Sequence, residues 1–267
     1  MRLLLSLTLL LLSGAVNAAL TVEEIVQRTN KTVYYQGQDG RAQVKMTMTD
    51  SQGRERNRRL TILRLDESKS DEIEGGAYEG GQKFYVYFQR PADVSKMAFL
   101  VWKHREKNDD RWLYLPALDL VKRIAATDKR TSFVGSDFFY EDVSGRRLSD
   151  DNHELLDTTD NYYIVKNTPK DPATVEFAYY KMYIHKSSFI PVQVEYFDDQ
   201  GNKYREAKAL AVDTIQGYPT VTKASMENLR TGSKTIMAYR KAEYNIGLKD
   251  ELFSERFLRN APKKQLR

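Results

Sequence analysis

Between Lys83 and Gly145 the chain carries four apolar-aromatic runs, at residues 84–88, 97–102, 112–115 and 118–124, set apart by turn-like stretches containing Pro, Asp and Asn. Each run has strand length and is rich in β-branched and aromatic side chains, which predicts four β-strands. Apolar residues fall on both parities, since Phe84, Val86 and Phe88 alternate with Tyr85 and Tyr87. A sheet with one wet face alternates more cleanly between apolar and polar positions. Both faces of this sheet are therefore expected to meet something non-aqueous, either covering helices or a bound ligand.

Upstream, Thr21-Val22-Glu23-Glu24 has the form of a capping box, and Val22, Ile25, Val26, Thr29 and Val33 follow at helical spacing. This predicts an amphipathic helix running to about Tyr35. Ala42, Val44, Met46 and Met48 then alternate with polar residues as a strand, 50–53 turns, and 54–65 returns as the second arm of a hairpin. Residues 66–82 are acidic and then Gly-rich and read as a surface loop; 144–160 is polar and reads mostly as loop. Six further strands are predicted at 162–166, 174–186, 191–197, 204–213, 220–229 and 235–244, with hairpin turns at 198–202 and 230–233. A short helix at 250–258, with Leu252, Phe253 and Phe257 as its apolar face, and a basic tail at 262–267 close the chain. About a dozen strands on hairpin-length links form an antiparallel meander, which must curl or close. A curved sheet of that size can hold an apolar ligand, with the N-terminal helix as its lid.

The leader changes the setting. Met1–Arg2 is a short basic start, 3–12 is an almost unbroken apolar run, and Val16-Asn17-Ala18 places small residues where a signal peptidase reads. The pattern predicts export with cleavage after Ala18, leaving 19–267 as one domain, and the apolar run is too short to span a bilayer. In a Gram-negative cell this places the protein in the periplasm. The chain has no cysteine, so no disulfide framework and no lipidated N-terminus is expected. A formal net charge of +5 is mildly basic. Outside the cytoplasm such a charge points away from nucleic acid and towards an anionic membrane surface or an acidic protein.

Catalytic raw material is sparse. The three histidines, His104, His153 and His185, stand in charged loops or at a strand end, with no GxSxG, HxxxH or CxxC spacing nearby. No metal and no cofactor is expected. Asp137, Glu141 and Asp142 flank Phe138, Phe139 and Tyr140, and a glycan or ester hydrolase could use two such acids. The favoured reading is that they cap turns or pair with Arg123 and Arg130. Arg54, Arg56 and Arg58 share one strand face, either as a solvated guard against edge pairing or as a dock for anionic headgroups or an acidic transporter. With 17 Tyr and 11 Phe, clusters such as Tyr179, Tyr180 and Tyr183 suit either a core or an apolar but partly wet pocket.

Three segments occur together: Arg111-Trp112-Leu113-Tyr114-Leu115-Pro116-Ala117-Leu118, then Val121-Lys122-Arg123-Ile124, then Ser132-Phe133-Val134-Gly135-Ser136-Asp137-Phe138 with Tyr140-Glu141-Asp142. As a set they resemble the LolA-like periplasmic outer-membrane lipoprotein-sorting family, in a branch that accompanies inner-membrane transporters of the RND class. The resemblance spans the whole mature chain. It implies a mainly β fold, a strongly curved antiparallel sheet of about 11 strands forming a half-open barrel, with the N-terminal helix and short helices over the concave side. It implies a carrier, not an enzyme, that shields acyl chains of a lipoprotein or other lipid on the way to the outer membrane. An RND or ABC transporter would be the inner-membrane partner, with an acceptor at the outer membrane. The alternative is a lipid- or peptide-sensing regulatory domain that reports to an inner-membrane protein. By parity, the expected cavity wall is Val44, Met46, Met48, Phe84, Val86, Phe88, Leu113, Leu115, Val192 and Val194. A one-residue slip in register would turn any of these sets outward.

Overall fold

The computed structural model describes residues 19–67 and 80–267. The expected leader and most of the 66–82 loop lie outside the described residues. Helix α1 (Val22–Tyr34) opens the fold on its capping box: the Glu24 amide donates to Thr21 Oγ1 (3.2 Å) and the Thr21 amide to Glu24 Oε2 (2.8 Å).

Thirteen strands follow: β1 (Asp39–Thr49), β2 (Glu55–Asp66), β3 (Gln82–Arg90), β4 (Ala98–Lys103), β5 (Asp110–Leu115), β6 (Leu120–Arg123), β7 (Asp151–Thr158), β8 (Tyr162–Pro169), β9 (Tyr179–His185), β10 (Pro191–Phe197), β11 (Lys203–Ile215), β12 (Tyr218–Asn228) and β13 (Ser233–Tyr244). They form one antiparallel sheet in the order β6-β5-β4-β3-β2-β1-β13-β12-β11-β10-β9-β8-β7. Among the described residues the sheet is not closed, and its thirteen strands replace the expected figure of about 11.

The order divides the sheet into two wings. The chain winds outward from β1 to β6, crosses to the opposite edge through residues 124–150, and winds back from β7 until β13 pairs with β1. That crossing segment carries α2 (Tyr140–Ser144) and packs on the inner face of the first wing. Phe133, Tyr140, Val134 and Phe138 cluster there with Met46, Met48, Phe88, Phe99 and Leu113. On the outer face, Leu63, Tyr85, Leu100 and Trp112 are covered by Phe253, Leu258 and Leu266 of the C-terminal segment. Trp102 Nε1 donates to the Phe253 carbonyl (2.6 Å) and Tyr85 Oη to that of Phe257 (2.7 Å), which fixes this cover in place. The two-sided apolar pattern of the first wing thus has a segment of chain on each face. Over the second wing α1 buries Ile25 and Val26 against Val165 and Ile184.

Several expectations change in detail. The closing helix splits into a 3-10 turn (Asp250–Phe253) and α3 (Arg256–Arg259), because Ser254 between them is extended, and both lie on the outer face instead of over the concavity. The run at 118–124 begins as a 3-10 turn started by Pro116, and only Leu120–Arg123 pairs as β6. Strand β7 lies inside the stretch read as loop. It is an edge strand with exposed positions on both faces, so it carries no alternation to detect.

Candidate functional site

The inner face of the second wing differs from that of the first. Ala207 stands opposite both Met226 and Val194, and Ala209 opposite Ala224, so that neighbouring strands present methyl groups where the first wing presents Phe and Met. α1 and the crossing segment roof this stretch without filling it. The result is a cavity of about 390 Å³, within the range of roughly 300–1,000 Å³ common for small-molecule sites. Val33 and Tyr34 of α1 and Phe138 and Val143 of the crossing segment form its roof; Ala42, Ile62, Phe84, Val194, Ala207, Ala209, Ala224 and Met226 form its floor. Tyr196 and Tyr239 also line the cavity, and Arg41, Arg64, Asp142, Lys208 and Glu243 add charge to a wall that is otherwise mostly apolar. Burial pushes the Tyr239 phenol up to about 12, so it stays neutral.

The C-terminal end of α1 is held by the first wing. Arg64 donates to the carbonyls of Tyr34, Gln36 and Gly37 (2.7 Å for Gly37), and Gln82 Nε2 to that of Tyr34 (2.8 Å). A cation on orphan helix carbonyls satisfies them and suits the negative end of the helix dipole. Asp66 lies behind, 3.1 Å from Arg64 and 2.8 Å from Gln82. Burial pushes its carboxyl up to about 6, with Arg64 and Gln82 opposing. Gly145, at the end of α2, has φ +76, and a Cβ there would run into the Tyr34 ring. That glycine lets crossing segment and lid meet.

The crossing segment is pinned by charge. Arg205, 2% exposed, stacks between the rings of Phe139 (4.0 Å) and Tyr196 (4.9 Å), donates to the Asp137 carbonyl (3.0 Å) and pairs with Asp142. Arg130 reaches Glu141 (3.2 Å) and Glu176 (2.6 Å), Lys129 reaches Glu141 (2.9 Å), and Arg146 reaches Asp151 (2.9 Å). Burial pushes Glu141 upward, but Arg130, Lys129 and Arg146 outweigh it and hold the carboxyl below the usual range. Asp137 accepts from Ser233 Oγ and Thr235 Oγ1. All three acids of the hydrolase reading are thus engaged in holding the segment. The pairing with Arg130 is present; Arg123 instead reaches Asp110.

The remaining candidates resolve individually. Arg58 turns inward and donates to the Val134 carbonyl, Arg54 pairs with Asp50 (2.7 Å) ahead of β2, and Arg56 is exposed. Among the described residues β1 pairs with β2 from Glu55 onwards but β3 only from Arg59, so Arg56 and Arg58 stand on a stretch of β2 with no strand partner on its β3 side, where charge guards against edge pairing. His104 contacts Asp110 (2.8 Å), His153 contacts Asn167 (2.7 Å), and His185 contacts Ser188 (3.1 Å). No group of three or more His, Cys, Asp or Glu suited to a metal occurs among the described residues.

Of the ten expected wall residues, Phe84 and Val194 line the cavity. Val44, Met46, Met48, Val86, Phe88 and Leu113 lie on the inner face in the cluster beneath the crossing segment, with Leu115 packed against it. Val192 belongs to neither set. The alanines of β11 and β12, Arg64 and Arg205 were not anticipated. A strand with alternating small residues, as in Ala207-Lys208-Ala209, is a legible sign of a hollow; a buried arginine inside a strand gives none.

A family model described only as an uncharacterized protein matches residues 80–260. No curated protein sequence matches the chain. Among solved structures, a DUF1329 family protein from Desulfovibrio piger superposes with TM-score 0.78 at 26% identity, covering 89% of this chain and 97% of its own. A domain from Vibrio parahaemolyticus, provisionally described as outer membrane lipoprotein-sorting, gives TM-score 0.76 at 26% identity, covering 88% and 97%. A LolA superfamily protein from Nitrosomonas europaea, at 20% identity and TM-score 0.66 over 90% of this chain and 100% of its own, shares the fold.

Proposed function

Given that the chain belongs to the LolA-like lipoprotein-sorting family, we propose that it is a periplasmic carrier that shelters acyl chains in the cavity between its two wings. The observation that carries this reading is the mostly apolar hollow of about 390 Å³ floored by Ala207, Ala209 and Ala224 and roofed by α1 and the crossing segment. Each methylene removed from water contributes about 0.8 kcal/mol, so an acyl chain of about ten methylenes supplies roughly 8 kcal/mol without any charged contact. The phenols of Tyr196 and Tyr239 suit the ester or amide end of such a chain. No helix among the described residues is long and apolar enough to cross a membrane. In this reading the leader is cleaved after Ala18, and an inner-membrane transporter of the RND or ABC class loads the cavity for an outer-membrane acceptor. The Vibrio relative's lipoprotein-sorting description supports the direction of traffic. In this reading Phe84 and Val194 touch cargo, and Val44, Met46, Met48, Val86, Phe88, Leu113 and Leu115 support the crossing segment.

The test is native mass spectrometry of the protein purified from its own periplasm without detergent, followed by organic extraction. A stoichiometric acylated species is expected. A homogeneous empty protein that also fails to take up added lipid would overturn the reading.

A further inference from the structure

The hairpin joining β5 and β6 ends in an apolar tip. Pro116 starts its 3-10 turn and Asp119 takes left-handed backbone (φ 44), so Leu118 and Leu120 project on either side of the reversal. Leu118 is 70% exposed and Leu120 45%, and Leu118 is the most exposed large apolar side chain among the described residues. The acid between them is paired. Asp119 accepts from Tyr114 Oη (3.2 Å) and pairs with Arg259 (3.4 Å), whose Nη2 also donates to the Asp119 carbonyl (3.1 Å). Arg259 belongs to the last twelve residues, 256–267, which hold five Lys or Arg and no Asp or Glu. Arg256, Arg259, Lys263, Lys264 and Arg267 are all exposed, while Leu258 and Leu266 of the same segment are buried against the sheet. The segment runs from the tip to β2 and β3, where Thr61 and Gln89 both donate to the Leu266 carbonyl (3.2 Å each).

We propose that this corner docks the protein on an anionic bilayer, with Leu118 and Leu120 entering the interfacial layer and the cations of the terminal segment meeting lipid headgroups. Two leucines on a projecting turn are too small a patch for a stable protein interface, which buries about 800 Å² per partner. Shallow insertion needs only a few apolar side chains backed by distributed positive charge. The site lies on the hairpin and outer face, separate from the cavity, and it stands whether or not the cavity carries lipid.

Because the chain has no cysteine, Leu118→Cys and, as a distant control, Leu229→Cys can each be labelled uniquely with a nitrobenzoxadiazole probe. Vesicles of phosphatidylcholine with phosphatidylglycerol are expected to shift and brighten the emission at 118 but not at 229. The response should fade as salt is added and be absent with phosphatidylcholine alone. In sedimentation with the same vesicles, unlabelled Leu118→Asp, a surface change that leaves the fold intact, is expected to lower the bound fraction at least about tenfold. An unchanged signal at 118, an equal signal at 229, or full binding by Leu118→Asp would overturn the proposal. So would a concentration-dependent dimer abolished by Leu118→Asp, which would assign the tip to a second copy of the chain.

Discussion

The two wings are built from the same kind of strand and differ in what covers them. β3 and β4 carry Phe84, Val86, Phe88, Phe99 and Val101 inward, and rings of the crossing segment close on them: Phe133 lies 5.3 Å from Phe99 and 5.8 Å from Phe88. β10 is half-buried along its whole length, and its inward Val194 faces the cavity. Aromatic strands become a dry core where a segment of chain packs on both faces, and wall a hollow where small side chains on the neighbouring strands keep the roof away. Cover and side-chain size, more than strand composition, decide where the sheet stays hollow.

The sharpest way to break this contrast is truncation. Phe99→Ala should cost about 4 kcal/mol, as expected for a ring lost from a packed core, whereas Val194→Ala at the cavity wall should cost about 1 kcal/mol; urea unfolding measures both. Equal costs would mean that the second wing is packed as tightly as the first. Arg205→Met comes next. It leaves Asp142 short of a buried partner and is expected to cost about 3 kcal/mol in the same assay, with loss of the fixed position of the crossing segment.

Asp66 behind the lid gives a pH signature. Its folded carboxyl, raised to about 6 from 3.8, favours the neutral form. Its stabilising contribution is therefore full below about pH 4 and is lost as pH rises through about 6, by at most about 3 kcal/mol. Asp66→Asn removes this dependence, so the stability of the wild type relative to Asp66→Asn should fall between about pH 4 and pH 7. A difference that stays flat would show that Asp66 titrates as an ordinary carboxylate. The smallest stability effect belongs to Ala224→Leu. In a tight core added methylenes cost about 1–3 kcal/mol, but here they enter empty space, and a change under about 1 kcal/mol is expected.

Much of this was legible from periodicity, and the gaps have physical causes. β10 falls where the alternation placed it, at Pro191–Phe197, and the Thr21–Glu24 box starts α1 as read. Strong local signals survive because tertiary structure had no reason to override them. β7 was invisible because an edge strand wet on both sides has no apolar phase. The terminal helix broke because the outer face of the first wing anchors Phe253 and Leu258 at positions one continuous helix did not supply. Parity put Val44, Met46 and Met48 on one face, as β1 has them. Parity cannot say which part of that face stays uncovered, since this depends on where residues 124–150 come to rest. Arg205 was unreadable because its partners, Asp142 and Phe139, are more than sixty residues away along the chain.

The most direct test combines filling with retention. Ala209→Phe places a ring in the hollow from β11, on the side formed by Ala207, Ala209 and Ala224. Native mass spectrometry of this variant and the wild type, both purified without detergent and matched by thermal melting, reads the bound acyl species directly. The expected result is an acylated wild type and an empty, equally stable variant. An acyl adduct retained at full stoichiometry by Ala209→Phe would contradict the placement of the acyl chain in this cavity.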